Sequence, residues 1–399
     1  MNNKNFHMKN AVAVFSMLAM TAGVFGQVNN TSQLSGADAL NTITTAVPFL
    51  MIAPDARGGG LAEVGAATSP DANSIHWNPA KLAFVDKKMG VSISYTPWLR
   101  ALVPDINLAY ISGYKQINKN QTFGMSLLYF SLGDITFTDI VGNTTGQFKP
   151  NEFAIDMAYS RKLSEDFSGG MALRYIYSNL TGGIQVESAQ THPGRSVAAD
   201  VSAYYHHQLD AGGKKNVISA GIDISNIGSK ISYTDAGTKD FIPTNLRLGA
   251  CFKSDLDDYN SFSIAVDINK LLVPTPPIRD SVGGILLGKD PNVSPVTGIF
   301  QSFGDAPGGF KEELKEYNYS AGLEYWYDKQ FAVRAGYFHE PTTKGNRKYF
   351  TLGAGLKYSV FGLDFAYLIP TEQRHPLENT LRFSLLFDFD SFKSQNKTN

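Results

Sequence analysis

The chain of 399 residues carries a single cysteine, Cys251, which excludes an intrachain disulfide and a thiolate zinc cluster. Charged residues amount to only 18%, and the formal net charge is -1, so no global basic field speaks for nucleic acid as a partner. After the first residues, no uninterrupted apolar run reaches the roughly 20 residues a spanning helix needs. Catalytic signatures are missing too. There is no His-Glu-x-x-His, and no Gly-Lys-Ser/Thr follows Gly58, Gly59 and Gly60. Glu63 stands where a dinucleotide fingerprint wants its third glycine. Catalytic, cofactor-binding and metal-binding residues are therefore expected to be none, and the protein is expected not to be an enzyme.

Lys4 and Lys9 precede an apolar run over 11–25, and Val24 and Gly26 are small residues at the two positions a signal peptidase reads. Residues 1–26 read as a signal peptide cleaved near Gly26. The mature chain is then exported without a transmembrane helix, and no cysteine follows the cut to take a lipid anchor.

What the chain has in plenty is alternation. Leu381, Phe383, Leu385, Phe387 and Phe389 alternate with Arg382, Ser384, Leu386 and Asp388. Phe262, Ile264, Val266 and Ile268 alternate with Ser263, Ala265 and Asp267 in the same way. A period of two with one oily face is the mark of strands that border an apolar phase. About 14 such runs follow Gly90, most of them near the roughly 9–11 residues that a tilted strand uses to cross hydrocarbon. Their cores lie at 91–98, 105–115, 121–130, 151–161, 168–178, 196–207, 216–226, 244–253, 260–270, 317–327, 330–338, 349–358, 362–369 and 380–390.

The connections alternate as well. Those at 116–120, 162–167, 208–215, 254–259, 328–329 and 359–361 are short, whereas 131–150, 179–195, 227–243 and 271–316 are long. Short turns inside and long loops outside are the known asymmetry of outer-membrane barrels. The fold class is thus all-β, a transmembrane antiparallel barrel. Tyrosines near strand ends, among them Tyr95, Tyr110, Tyr114, Tyr129, Tyr175 and Tyr325, suit aromatic girdles at the headgroups.

The opposite face of the strands holds Asp156, Arg174, Asp200, Asp223, Arg247, Lys253, Asp267, Glu324, Arg334, Lys357, Asp364, Arg382 and Asp388. Charges of both signs must face water, one another or a plug. Internal pairing is the structural reading, and a substrate path is the functional one. Just before the first strand, residues 69–84 concentrate turn formers around a large aromatic: Asp71, Asn73, His76, Trp77, Asn78 and Pro79. His76 has no acidic partner at a metal or triad spacing, so a packed histidine is expected, and the stretch reads as a hatch in the bore.

The stretch 77–84, "WNPAKLAF", resembles the Asn-Pro-Ala hatch element of FadL-type outer-membrane proteins. More closely, 53–81, 94–110, 149–175 and 298–327 resemble the FadL-like barrels of the Bacteroidetes type IX secretion system, the PorV (LptO) family. The resemblance implies an outer-membrane protein that takes the C-terminal signal domains of secreted cargo from a SprA-type translocon barrel. It implies delivery to a PorU-type sortase and attachment complex, which fixes cargo to lipopolysaccharide. Partners would then be these proteins together with outer-membrane lipid. The alternative function is a FadL-type transporter of hydrophobic small molecules, which needs a kinked strand beside the hatch; Gly113, Gly124, Gly249 or Gly353 could supply one.

On this reading 27–89 is an N-terminal periplasmic segment and hatch, 90–390 the barrel, and 391–399 a short periplasmic tail. The long connection 271–316 combines stiffening prolines with apolar Ile278, Ile285, Leu286, Leu287, Ile299, Phe300 and Phe303. It is either a docking surface for partner and cargo or a lid over its own barrel.

Overall fold

The structure is a computed structural model that describes residues 40–389 apart from 101, 102, 104, 139, 140, 184, 187, 188, 212, 213, 236–238 and 374. The expected signal peptide and C-terminal tail lie outside the described residues. Fourteen antiparallel strands close into one barrel. They are β1 (Met89–Pro97), β2 (Asn107–Asn118), β3 (Gln121–Ser131), β4 (Asn151–Lys162), β5 (Phe167–Asn179), β6 (Gly194–Ala211) and β7 (Lys214–Gly228). The rest are β8 (Asn245–Asp255), β9 (Asn260–Leu271), β10 (Tyr317–Tyr327), β11 (Phe331–His339), β12 (Lys348–Tyr358), β13 (Phe361–Pro370) and β14 (Leu381–Asp388). Each pairs with its neighbour in sequence, and β1 pairs with β14 to close the ring. Closure leaves no free edge, which is what allows a sheet to stand in lipid.

The alternation has the expected sense. On β3, Thr122, Gly124, Ser126 and Leu128 are buried in the bore, whereas Phe123, Met125, Leu127 and Tyr129 are exposed on the outer wall. Two tyrosines depart from the expectation of a girdle. Tyr110 and Tyr114 are in phase with the inward Leu108 and Ser112 of β2 and are buried inside. Ring chemistry suits the headgroup level, but strand phase decides the face.

A bulge between Ala199 and Val201 inserts an extra residue on β7 and brings Asn226 into the left-handed region at φ 59°. Its amide then donates to Asp200 at 2.7 Å, and its side chain donates to the Pro243 carbonyl at 3.0 Å.

The segment ahead of β1 runs the length of the bore. Asn41 donates its amide to the Thr343 carbonyl at 3.0 Å, and Ala46 donates to the Phe241 carbonyl at 2.9 Å, both in connections at the long-loop rim. Val47, Phe49 and Leu50 then bury against Leu108, Leu128, Phe130 and Ile176 of the wall. The chain leaves at the other rim, where Gln116 donates to the Val85 carbonyl at 2.7 Å. Of the segment 27–89, the described part from 40 onward thus threads the bore from the long-loop rim to the start of β1. The apolar 47–50 draws it into the greasy outer half of the bore, and residues 41–46 lie among the outer connections.

Candidate functional site

The hatch is built around Trp77. Its ring is buried between Gly58 and Gly65, where any Cβ would overlap it. The indole donates to Asp55 at 2.7 Å, and the Arg247 guanidinium stands over the ring at 4.7 Å. Asp55 also accepts from the Gly58 amide at 2.7 Å and so caps the short helix Ala56–Gly60. Burial pushes the Asp55 carboxyl above its ordinary range, and the Asp71 charge adds to that; the bonds from Gly58 and Trp77 work against it. His76 lies edge-on to Trp77 at 4.8 Å, and burial with the nearby Arg247 and Arg174 charges holds it well below its ordinary value. It stays a neutral packed ring.

Asn78 begins the 3-10 turn Pro79–Phe84 by accepting from the Ala80 amide at 3.0 Å, with Pro79 at the position where no amide is needed. Its own amide group donates to the Ala66 and Ala203 carbonyls. The Ala80 carbonyl accepts from Ser160 at 2.9 Å and Ser168 at 2.7 Å of the wall. Asn73 accepts from Ser112 at 3.0 Å, and Asp71 accepts from Arg57 at 2.8 Å. The structure thus brings the six hatch residues read from the sequence into one plug.

The inward charges mostly pair. Arg57 reaches from the hatch to Asp71 and Glu324, and Glu324 continues to Arg334 and Asp364. Arg174 lies between Asp156 and Asp200. Asp267 accepts from the Gly65 and Ala66 amides at 2.8 and 2.9 Å and faces Arg247 at 3.7 Å. Lys81 is buried and, among the described residues, has no carboxylate in ion-pair contact; it donates to the Gly65 carbonyl at 2.8 Å and Thr68 at 3.0 Å. Burial lowers its pKa to about 8.

The long connection between β9 and β10 has a pinned base and an open crest. Lys270 meets Glu316 at 2.5 Å and Glu313 at 3.4 Å, and Lys344 meets Glu312 and Glu316 at 2.6 and 3.0 Å. Thr275 donates its hydroxyl to Glu316 at 2.6 Å, and the Asp305 and Ala306 amides donate to Glu313. Above this base rise a two-stranded ribbon, Ile278–Arg279 with Ile285–Leu287, and the helix Pro295–Gln301. Of the seven apolar residues singled out in the sequence, Ile278, Ile285, Leu286, Leu287, Phe300 and Phe303 are exposed, and Ile299 is half-buried. Phe300 is 75% exposed and Leu286 62%; Val282 at 89% and Phe310 at 76% are exposed on the same connection.

A family model described as type IX secretion system protein PorV matches residues 35–278. The chain belongs to the PorV family. It is accordingly a type IX secretion component of the outer membrane. No curated protein matches it. Among solved structures it is similar to a Pseudomonas aeruginosa FadL homologue, at 12% identity over 88% of this chain and 100% of that one, with a TM-score of 0.44. It is also similar to the Ralstonia pickettii toluene transporter TbuX, at 10% identity, 84% and 97% coverage and a TM-score of 0.46. The Pseudomonas putida toluene transporter TodX stands at 10% identity, 82% and 95% coverage and a TM-score of 0.46. At such scores the architecture rests on the strand pairing itself.

Several glycines on the inward phase of the strands are seats for the hatch. A Cβ at Gly221 would overlap the Ala66 carbonyl, one at Gly170 the Ala80 backbone, and one at Gly353 would come within 3.2 Å of Gly60. Of the glycines considered as kinks, Gly124, Gly249 and Gly353 all face hatch residues, and Gly113 faces outward. The signal was present in the sequence as glycines on the inward phase. On the short-turn side of the hatch, a cavity of about 600 Å³ opens among Tyr204, His206, Lys253, Trp326 and Lys357.

Proposed function

We propose that this protein binds the C-terminal signal domain of secreted cargo at its outer crest and carries it from a SprA-type translocon barrel to a PorU-type sortase and attachment complex. It acts by binding and hand-over, without catalysis of its own, next to lipopolysaccharide in the outer membrane. The observation that carries the reading is the apolar crest of the β9–β10 connection. Leu286 and Phe300 stand in the open on a base held by buried ion pairs, whereas a lid would turn such side chains toward its own barrel. A pinned base also lowers the entropy lost when a partner docks.

The test replaces Leu286 and Phe300 together with serine. Both side chains are exposed, so the barrel should keep its folded, heat-modifiable migration. Cargo attached at the cell surface is expected to fall roughly tenfold or more, the scale of removing central apolar anchors from an interface. Normal attachment in a folded double variant would sink the proposal.

A further inference from the structure

The ladder that closes the barrel is its shortest. β1 pairs with β14 only from Gly90–Asp388 to Tyr95–Phe383, whereas on its other edge β1 stays paired with β2 as far as Pro97–Asn107. One more step of the seam would set Thr96 opposite Arg382, but that pair is not made. Both side chains are in the inward phase and almost wholly buried. Among the described residues, Thr96 Oγ1 and Arg382 Nη2 are buried without a hydrogen-bond partner.

Arg382 is the odd member of a consistent set. Arg57, Arg174, Arg247 and Arg334 each meet a carboxylate in the bore. Among the described residues, Arg382 has one hydrogen bond, from Nε to the Ala53 carbonyl at 3.2 Å, and the Trp98 ring at 5.8 Å. A guanidinium does not shed its proton, and a buried cation with no counter-charge is strongly disfavoured. The open end of the seam lies toward the long-loop rim, and Tyr95 and Phe383 flank it on the outer wall with exposed rings. A headgroup would stand at that level, with its chains beside those rings.

We propose that this gap binds the anionic oxygens of a phosphate or carboxylate, drawn between β1 and β14 to Arg382 and Thr96. An acidic lipid could supply the group, with its acyl chains left outside against Tyr95 and Phe383, and so could a free anion. This inference stands apart from cargo hand-over.

The purified barrel in detergent is titrated with dioleoyl phosphatidylglycerol or dioleoyl phosphatidylcholine and read by native mass spectrometry. The acidic lipid is expected to be held roughly tenfold better, the scale of one charge-assisted contact. R382Q should abolish the preference, and R382K should keep it. Inorganic phosphate at millimolar concentration separates the sources: displacement of the lipid assigns the site to free anions, and retention assigns it to a headgroup. T96V, which keeps the cation, should weaken retention about threefold and carries the comparison if R382Q does not fold. Equal retention of both lipids by the wild type overturns the proposal. So does an unchanged preference in R382Q, or in T96V where R382Q is lost.

Discussion

Replacing Glu324 with glutamine should loosen the hatch while leaving the barrel closed. The Glu324 carboxylate accepts Arg57 Nε and Nη2 at 3.0 and 2.9 Å and Arg334 Nε at 2.7 Å. Among the described residues it is the one wall group that binds Arg57 of the hatch and a wall arginine at once. Removing one partner of a buried pair costs about 3–5 kcal/mol, because the other charge stays buried. Arg334 keeps Asp364 at 2.6 Å, and the introduced glutamine would still offer one carbonyl, so the lower end of that range applies. Roughly 3 kcal/mol is about 150-fold in the constant for hatch opening, since every 1.4 kcal/mol is tenfold. Hydrogen exchange of the amides in 55–85 should speed up by about that factor, whereas strand amides stay protected. Heat-modifiable migration reports on the barrel. A cycle with Arg57→Met supplies the control. If the contact is direct, the double variant costs less than the two singles summed. Unchanged hatch protection in E324Q, or strict additivity, would refute the assignment of Arg57 and Glu324 as the latch.

Lys81 gives the hatch a pH dependence. Burial lowers its pKa to about 8, from the roughly 10.4 of a free lysine, so between those values the open state binds more protons than the closed one. Hatch stability should therefore rise with pH from about 8 to 10.4, and the contribution is lost as pH falls through 8. Exchange corrected for its intrinsic rate should show this in the wild type, and Lys81→Met should be flat over the same window. Gly221→Leu places a side chain onto the Ala66 carbonyl and should expose the Arg57 bond to trypsin in a barrel that still migrates as folded. Gly169→Ala, whose Cβ would meet only Leu163 at 3.5 Å, should leave the hatch protected.

The wall was legible in the sequence because a single physical demand writes it. Lipid outside forces apolar residues onto every second position, and no other constraint on Phe262, Ile264, Val266 and Ile268 competes with that one. The strand cores read at 260–270 and 317–327 differ by at most one residue at either end from β9 and β10. Face and identity part company where the plug supplies a second apolar phase. Tyr110 and Tyr114 look like girdle residues, but they serve the hatch. The hatch itself was legible as a cluster of caps and turns, since Asn78-Pro79 is a local signal. Its path was not. That depends on contacts such as Asn41 Nδ2 with Glu312 at 2.9 Å, between residues hundreds of positions apart that no local pattern relates. The base of the outer connection was hidden for the same reason. The acids of 310–316 sit on a short helical turn, and their matching with Lys270 and Lys344 appears only on closure of the ring.

Those long-range contacts bear on how the molecule divides its work. From the long-loop rim down to the hatch the bore is occupied, apolar at 47–50 and hydrogen-bonded to the wall through Asp267, Ser160, Ser168 and Ser202 farther down. Opening it would expose Arg57, Asp55 and Lys81 together, so a partial retreat of the hatch gains little over a complete one. At the mouth the balance is reversed. There the charges are already matched within the base of the connection, and the unmet surface is apolar and outward, at Leu286, Phe300 and Phe310. Burying such surface against a partner needs no charge to be stripped of its counter-ion, whereas using the bore would break several buried pairs at once. Asn41 touches both regions through the Pro276 carbonyl and Glu312. A partner seated on the crest would therefore meet the hatch segment at its outer end, far from the Arg57–Glu324 pair.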